Sequence, residues 1–235
     1  MESVLSEWGM AGVEALRDRV AVFVIVDVLS FSTAVDVAVS RGAAVYPYPH
    51  GDEDGAQAEA DRVGAVLARP RRTSGEGFSL SPVSLLTIPA GTEVLLPSPN
   101  GSRLSLACGG KPVLAGCLRN AAAVARTARA MSGGGAVGVV PAGERWPDGS
   151  LRPAIEDLLG AGAIIHHLAL PCSPEAQVVR DALRAAGRGV SGLIRESVSG
   201  RELADRGFDG DVDLAVERDV SPWAPLLTVG AYRAA

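Results

Sequence analysis

Apolar runs alternate with amphipathic segments along most of the chain. Residues 20–26, Val-Ala-Val-Phe-Val-Ile-Val, are apolar throughout, which is typical of a strand buried on both faces of a largely parallel sheet. After Asp27, Ser32 and Thr33 can cap a helix that extends to about Arg41, and Gly42 then ends it. The pattern therefore predicts a buried strand followed directly by a helix.

The same alternation continues to the end of the chain. Further strands are predicted at residues 43–46, 93–96, 113–114, 136–140 and 212–216. Further helices are predicted at residues 54–67, just after Asn100, and at residues 120–131, 153–167, 174–186 and 200–206, with Ser150 as the cap of the helix at 153–167. Such alternation predicts βαβ units and an α/β protein with a largely parallel or mixed sheet. No linker or internal repeat is visible, so residues 1–235 are predicted to form a single domain.

Composition narrows the classes of function. The chain has 235 residues, of which 47% are hydrophobic and 21% are charged, and its formal net charge is -5. This length is enough to bury a large core, and the charge content is too low for a disordered chain. The overall negative charge disfavours binding to nucleic acid and to an anionic membrane. An anionic ligand therefore needs a local binding site.

The sequence indicates a cytoplasmic protein. The first 20 residues carry Glu2, Glu7 and Glu14 and lack a cationic segment followed by an apolar run, so no signal peptide is expected. The most apolar stretch, residues 20–29, is interrupted by Asp27 and is too short to cross a bilayer. The three cysteines are an odd number without close pairing, which indicates reduced thiols. We therefore expect no membrane association.

The end of the first buried strand is the first candidate site. In open α/β sheets, ligands bind outside the carboxyl ends of the strands, and Asp27 follows such a strand. Ser30, Ser32 and Thr33 add hydroxyl groups and helix N-terminal amides that suit a phosphate. Alternatively, Asp27 is a helix cap or a strand-end carboxylate. An acid at Leu29 would complete a D-x-D motif, and its absence disfavours an aspartyl-phosphate mechanism.

Two later junctions between a strand and a helix offer anion-binding groups at the same sheet edge. These groups are Asn100, Gly101, Ser102, Arg103, Arg119 and Asn120. Each has an alternative structural interpretation, as an ordinary Asn-Gly turn, a solvated arginine or an asparagine cap.

The helix predicted at 153–167 carries adjacent carboxylates, Glu156 and Asp157. Gly160, Ala161 and Ala163 follow them, so we expect open space beside the two acids. A carboxylate pair with a clear flank suits a hard cation with oxygen ligands. The alternative is that these acids only complement the dipole of the first helical turn.

An ordered series of short motifs resembles the 2-phosphosulfolactate phosphatase family over nearly the whole chain. The motifs are Val26-Asp27-Val28-Leu29, Ser74-Gly75-Glu76 with Ser81-Pro82, Asn100-Gly101-Ser102-Arg103, Ala115-Gly116 with Asn120-Ala121, Pro141-Ala142-Gly143, and Ile155-Glu156-Asp157 with Ala161-Gly162. The resemblance implies a three-layer α/β/α fold and magnesium-dependent release of phosphate from a sulfonated 2-phospho-acid.

The chain also departs from the family pattern. Ser30 stands where the family has an arginine after Asp-Val-Leu, and Pro141 stands where it has a cysteine. Leu80 replaces the asparagine of Asn-Ser-Pro, and Ala154-Ile155 replaces Ser-Leu before the acid pair. Loss of the arginine removes a planar, two-pronged anion clamp that serine cannot replace. The resemblance therefore implies a phosphate ester, and Ser30 leaves the sulfonate of the substrate open.

The sequence thus predicts a Mg²⁺-dependent phosphatase for a small anionic phosphorylated substrate. Asp27, Glu156 and Asp157 are the predicted catalytic residues and metal ligands, since the cysteines and histidines show no metal-ligand spacing. The predicted substrate-binding residues are Ser30, Ser32, Asn100, Gly101, Ser102, Arg103, Arg119, Asn120 and Arg145. The alternatives are a non-catalytic protein that binds an anionic metabolite and a hydrolase for a non-phosphate acid. A homo-oligomer is compatible with the sequence.

Overall fold

The computed structural model of the protein describes residues 2–69 and 77–235. The strands are β1 (Ser3–Ser6), β2 (Val22–Val26), β3 (Ala44–Pro49), β4 (Val66–Leu67), β5 (Glu93–Ser98), β6 (Val113–Gly116), β7 (Ala136–Pro141), β8 (Glu144–Arg145), β9 (Leu151–Arg152), β10 (Pro225–Thr228) and β11 (Ala231–Ala234). The helices are α1 (Gly9–Leu16), α2 (Phe31–Ser40), α3 (Glu53–Val63), α4 (Gly101–Leu106), α5 (Ala121–Ser132), α6 (Ile155–Leu168), α7 (Pro174–Ala186), α8 (Val190–Arg195), α9 (Val198–Ala204) and α10 (Asp209–Ala215).

Within the described residues, nine strands form one sheet in the order β1-β7-β2-β6-β10-β11-β3-β5-β4. Pairs among β1, β7, β2 and β6 and among β3, β5 and β4 are parallel. The hairpin of β10 and β11 is antiparallel to both of its neighbours. β8 and β9 form a separate antiparallel pair. The predicted α/β class with a largely parallel, mixed sheet is therefore confirmed.

The core lies on both faces of this sheet. Val22, Val24 and Val26 of β2 belong to one apolar cluster, which is covered by α5, α6 and α7. Phe23 and Ile25 belong to a second cluster on the opposite face, which is covered by α1, α2 and α4. Alternate side chains of one strand thus enter two cores, as expected for a strand between two helical layers. This arrangement explains why β2 is apolar at every position.

Three local predictions are wrong. Residues 212–216 are mostly helix α10, because Val212, Ala215 and Val216 are buried at the spacing of one helical face. The helix predicted at 54–67 ends at Val63, since Gly64 adopts a left-handed conformation with φ of 70°, and strand β4 follows. Ser150 does not cap α6. Its hydroxyl donates to Asp148 within the turn between β8 and β9.

The cap predicted for α2 is also different. This helix begins at Phe31, so Ser32 and Thr33 lie inside its first turn. Their hydroxyls donate to the carbonyl oxygens of Ile25 and Val28, respectively. Both residues thus attach the helix to the end of β2. In residues 2–69 and 77–235, no helix has the length and apolar character needed to cross a membrane.

Candidate active site

Asp27 occupies the junction of three elements. It follows β2, and its Oδ1 accepts a hydrogen bond from the Phe31 N–H at 3.3 Å. Its Oδ2 accepts one from the Gly101 N–H, the first residue of α4, at 2.8 Å. The Asp27 N–H donates to Ser32 Oγ at 3.0 Å. These contacts fix the carboxylate at the carboxyl edge of the sheet, between the starts of α2 and α4.

The two acids of α6 differ in their contacts. Asp157 Oδ1 accepts from the Val28 N–H at 2.7 Å, and Oδ2 accepts from the Gly143 N–H at 2.8 Å. Asp157 therefore connects the segments that follow β2 and β7. Glu156 is equally buried, but its Oε2 has no hydrogen-bond partner within the described residues. A buried carboxylate oxygen without a partner is costly unless something else satisfies it.

Glu144 is a fourth acid that the sequence analysis missed. It is the first residue of β8, and its Oε2 accepts from Asn100 Nδ2 at 2.9 Å. Burial, followed by the charge of Asp27, raises the pKa of Glu144 to about 7. The signal was present in the sequence. Glu144 comes three residues after the end of the buried strand β7. Asp27 was selected as a candidate because it also follows a buried strand, and the same criterion would have selected Glu144.

Asp27, Glu144, Glu156 and Asp157 form what we call the acid cluster. Burial and the neighbouring carboxylates of Asp27 and Glu156 raise the pKa of Asp157 well above its usual range. The structure therefore brings together all three predicted catalytic acids, which are separated by about 130 residues in sequence.

The flank of α6 is not open as predicted. A Cβ placed on Gly160 would lie 2.6 Å from Val28 Cγ2. Ala161 and Ala163 are buried in the core. The small residues therefore allow α6 to pack closely against β2, and this close packing brings its two acids next to the end of that strand.

Several predicted substrate-binding groups are used within the chain instead. Ser102 Oγ donates to the Leu96 carbonyl oxygen, and Asn120 bridges the Cys117 N–H and the Ala115 carbonyl oxygen. Ser32, Ser102 and Asn120 are fully buried, and the Gly101 N–H is already donated to Asp27. Their placement does not support direct contact with a ligand. They shape the turns that carry the site.

Arg119 is committed to ion pairs elsewhere. Its Nε lies 2.9 Å from Asp36 Oδ2, and its Nη1 contacts the Glu217 carboxylate and the Leu214 carbonyl oxygen. These partners belong to α2 and to the region of α10, so the predicted role of Arg119 in substrate binding is not supported. Ser30, which precedes α2, is also buried.

Two cavities meet at Glu144. A small cavity of about 190 Å³ is lined by Asn100, Arg103, Glu144 and Arg145, among others. A second cavity of about 500 Å³, which we call the arginine cavity, is lined by Glu144, Arg145, Arg152 and Arg206, among others. Arg103 and Arg145 are thus where the prediction needs them, beside an acid. Arg152 and Arg206 were not predicted.

The acid cluster can be tested against the needs of Mg²⁺. In residues 2–69 and 77–235, no three His, Cys, Asp or Glu side chains are arranged so that they alone could hold a metal ion. Mg²⁺ commonly keeps several waters and uses one or two carboxylates together with substrate phosphate. The unpartnered oxygen of Glu156 fits such a site, whereas each carboxylate oxygen of Asp27 and of Asp157 already accepts a backbone N–H group.

Comparisons with known proteins agree on one family. The family described as 2-phosphosulpholactate phosphatase matches residues 12–230. A protein of Pseudothermotoga lettingae named "Probable 2-phosphosulfolactate phosphatase" is 27% identical over 208 residues, covering 87% of this chain and 88% of the relative. A 2-phosphosulfolactate phosphatase of Methanothermobacter thermautotrophicus is 32% identical over 212 residues, covering 88% of this chain and 87% of the relative.

Proposed function

Because this chain belongs to the 2-phosphosulfolactate phosphatase family, we propose that it is a phosphoric monoester hydrolase. In this proposal it releases phosphate from 2-phosphosulfolactate or a similar 2-phospho-carboxylate, and Mg²⁺ is its cofactor. The family resemblance inferred from the ordered motifs is confirmed by these matches. The observation that best supports the activity is the acid cluster beside a small cavity lined with arginines.

Phosphate binding is assigned to the small cavity. Arg103 and Arg145 line it and would neutralise the charge of the phosphoryl oxygens, as arginines do in many phosphate sites. Asn100 lines the same cavity, and its amide is oriented by the hydrogen bond to Glu144. The volume of about 190 Å³ is enough for a phosphoryl group.

A magnesium ion is assigned to Glu156 and Asp27, whose charges raise the pKa of Glu144 at the wall of this cavity. Bound there, Mg²⁺ would polarise the phosphoryl group and lower the pKa of an attacking water. Glu156 contributes an oxygen without a partner in the described residues, and Asp27 is held by two backbone N–H groups. Asp157 would then act mainly by holding the two loops in place.

Glu144 is assigned to proton transfer. It lines both cavities and is only half-buried, so it can contact a ligand that the deeper acids cannot reach. A carboxyl group with a pKa of about 7 can both accept and release a proton at neutral pH. We therefore propose Glu144 as the group that accepts the proton of the attacking water.

Phosphate release tests this proposal directly. We expect the protein to release inorganic phosphate from 2-phosphosulfolactate, to lose this activity after chelation, and to regain it with Mg²⁺. Full activity in protein confirmed to be metal-free would remove the metal from the mechanism. Tight binding of the same esters without any release of phosphate would overturn the hydrolase assignment in favour of a metabolite-binding protein.

A further inference from the structure

The arginine cavity carries more positive than negative charge. Two walls enclose it, the turn between β8 and β9 on one side and α9 with the turn after it on the other. Its charged residues are Arg145, Arg152 and Arg206 against Glu144 and Glu202. Glu144, with a pKa of about 7, carries only part of a negative charge at neutral pH. The excess positive charge favours an anionic ligand.

Arg152 lines this cavity and is held by weak contacts. Its guanidinium carbon lies 5.8 Å from the centre of the Trp146 ring, within the range of a cation-π contact. Its Nη2 is 3.5 Å from Ser199 Oγ and 3.4 Å from Glu202 Oε2. Both distances are longer than the usual hydrogen bond, although only 13% of the side chain is exposed. Arg152 is therefore positioned without being strongly paired.

Arg206 lines the same cavity from a different element. It follows α9, is exposed to solvent, and lines the cavity together with Arg152. Two arginines that line one cavity can both bind a carboxylate or sulfonate, each with a planar pair of donors.

The position of this cavity relative to the phosphate site suggests its ligand. Glu144 and Arg145 line both cavities, so the two cavities lie side by side at these residues. We infer that Arg152 and Arg206 bind a second acidic group of the substrate, a carboxylate or a sulfonate, and thereby determine which phosphate esters the protein selects. This inference rests on the proposed function for the identity of the substrate, but the binding of the acid does not depend on catalysis.

Binding of the dephosphorylated acid tests the inference without turnover. 3-Sulfolactate carries a carboxylate and a sulfonate but no phosphate, and lactate carries the carboxylate alone. We expect Arg152→Met and Arg206→Met each to weaken the binding of 3-sulfolactate, measured by titration calorimetry, by about 10- to 100-fold, the usual effect of losing a charged hydrogen-bond donor. An equal loss with lactate would identify the carboxylate as the bound group, and a loss with 3-sulfolactate alone would identify the sulfonate.

Arg201→Met is the matched control, because Arg201 lies on the exposed side of α9 and pairs with Glu196. It should bind 3-sulfolactate like the wild type. Arg206 is exposed, so its variant should fold even if Arg152→Met does not. Thermal unfolding of all three variants would show this.

Turnover supplies a second, separate readout. The ratio of kcat/KM for 2-phosphosulfolactate to that for 2-propyl phosphate, which lacks both acids, should fall about 10-fold or more in the same two variants. Unchanged affinity and unchanged selectivity in both variants would overturn the inference, as would failure of the wild type to bind 3-sulfolactate. If the wild type binds this acid through the two arginines but releases no phosphate, the proposed function fails while the inference stands.

Discussion

The carboxyl edge of the sheet holds two groups of acids with opposite organisation. In the first, which we call the paired cluster, the buried Asp36 and the exposed Glu217 share the guanidinium of Arg119. Burial raises the pKa of Asp36, and hydrogen bonds from Ser221 and Arg119 oppose this effect. In the acid cluster, carboxylates lie beside carboxylates, and neighbouring acids raise the pKa of Glu144 and that of Asp157. One group contains a cation that pairs with its acids, and the other consists of acids alone.

This difference separates a structural role from a functional one. A buried carboxylate with a cationic partner has its charge compensated in the folded protein, and removing the partner leaves an isolated charge. A buried group of like charges destabilises the fold, and such an arrangement is typical of sites that act on a ligand or a cation. The comparison therefore predicts that mutations in the paired cluster affect stability, whereas mutations in the acid cluster affect activity.

The largest expected effect is on stability, in the paired cluster. Arg119→Met should lower the free energy of unfolding by about 3–5 kcal/mol, because Asp36 would remain buried without its cation. Urea unfolding would measure this change, and kcat of the folded fraction should stay close to the wild-type value. A variant with normal stability and strongly reduced kcat would place Arg119 in the active site after all.

The next effect is on activity, in the acid cluster. Glu156→Gln should reduce kcat for phosphate release by about 10²- to 10³-fold, the scale of losing one preorganised electrostatic interaction. Stability should not fall, because Glu156 Oε2 has no hydrogen-bond partner among the described residues that the substitution would disrupt. Near-normal kcat would exclude Glu156 from the site.

Asp27→Asn should lose activity to a similar extent and some stability as well. Both of its carboxylate oxygens accept backbone N–H groups, and an amide nitrogen cannot accept the second one. Comparing thermal unfolding of Asp27→Asn and Glu156→Gln would separate these two effects. Equal stability in both variants would contradict the contacts described for Asp27.

The smallest effect is a dependence of stability on pH. The pKa of Glu144 is raised in the folded state from about 4.5 to about 7, so the folded protein binds more protons than the unfolded chain between these values. The contribution of Glu144 to stability is therefore greatest below pH 4.5 and is lost as the pH rises through 7. In the presence of a chelator, the free energy of unfolding of the wild type should fall between pH 5 and pH 8. Relative to that of Glu144→Gln, we expect this fall to be about 1–3 kcal/mol.

Urea unfolding of both proteins at several pH values would check this prediction. Parallel stability curves for the wild type and Glu144→Gln would show that Glu144 titrates normally in the folded protein.

Most of the parallel part of the fold was accessible from the sequence because its signals are local, although the short strands β1 and β4 were not predicted. The apolar run at residues 20–26 identifies a strand without reference to the rest of the chain. The cap and the periodicity of α7 identify a helix in the same way. Strands β10 and β11 were missed because they are short and partly exposed, and their pairing depends on partners more than 100 residues away. Such pairing leaves little trace in the local pattern.

The site was predicted in part for a similar reason. Asp27 and Glu156 stand out by their positions after a strand and in the first turn of a helix. Tertiary contacts decide whether a polar side chain faces a ligand or a backbone group. Ser102 and Asn120 were predicted to bind substrate, but both side chains form hydrogen bonds with the backbone. Arg152 and Arg206 were missed because only the folded chain brings β9 and the end of α9 to one cavity. Residues 74–76, which also belong to the family motif, lie outside the described residues.

The position of the hairpin of β10 and β11 has a consequence for how the protein folds. β10 pairs with β6 and β11 pairs with β3, so among the described residues this hairpin joins the two parallel parts of the sheet. Tyr232 packs against Phe31 and donates its hydroxyl to Ser105 of α4. Since the Phe31 N–H and the Gly101 N–H of α4 both donate to Asp27, docking of this hairpin and assembly of the active site are coupled.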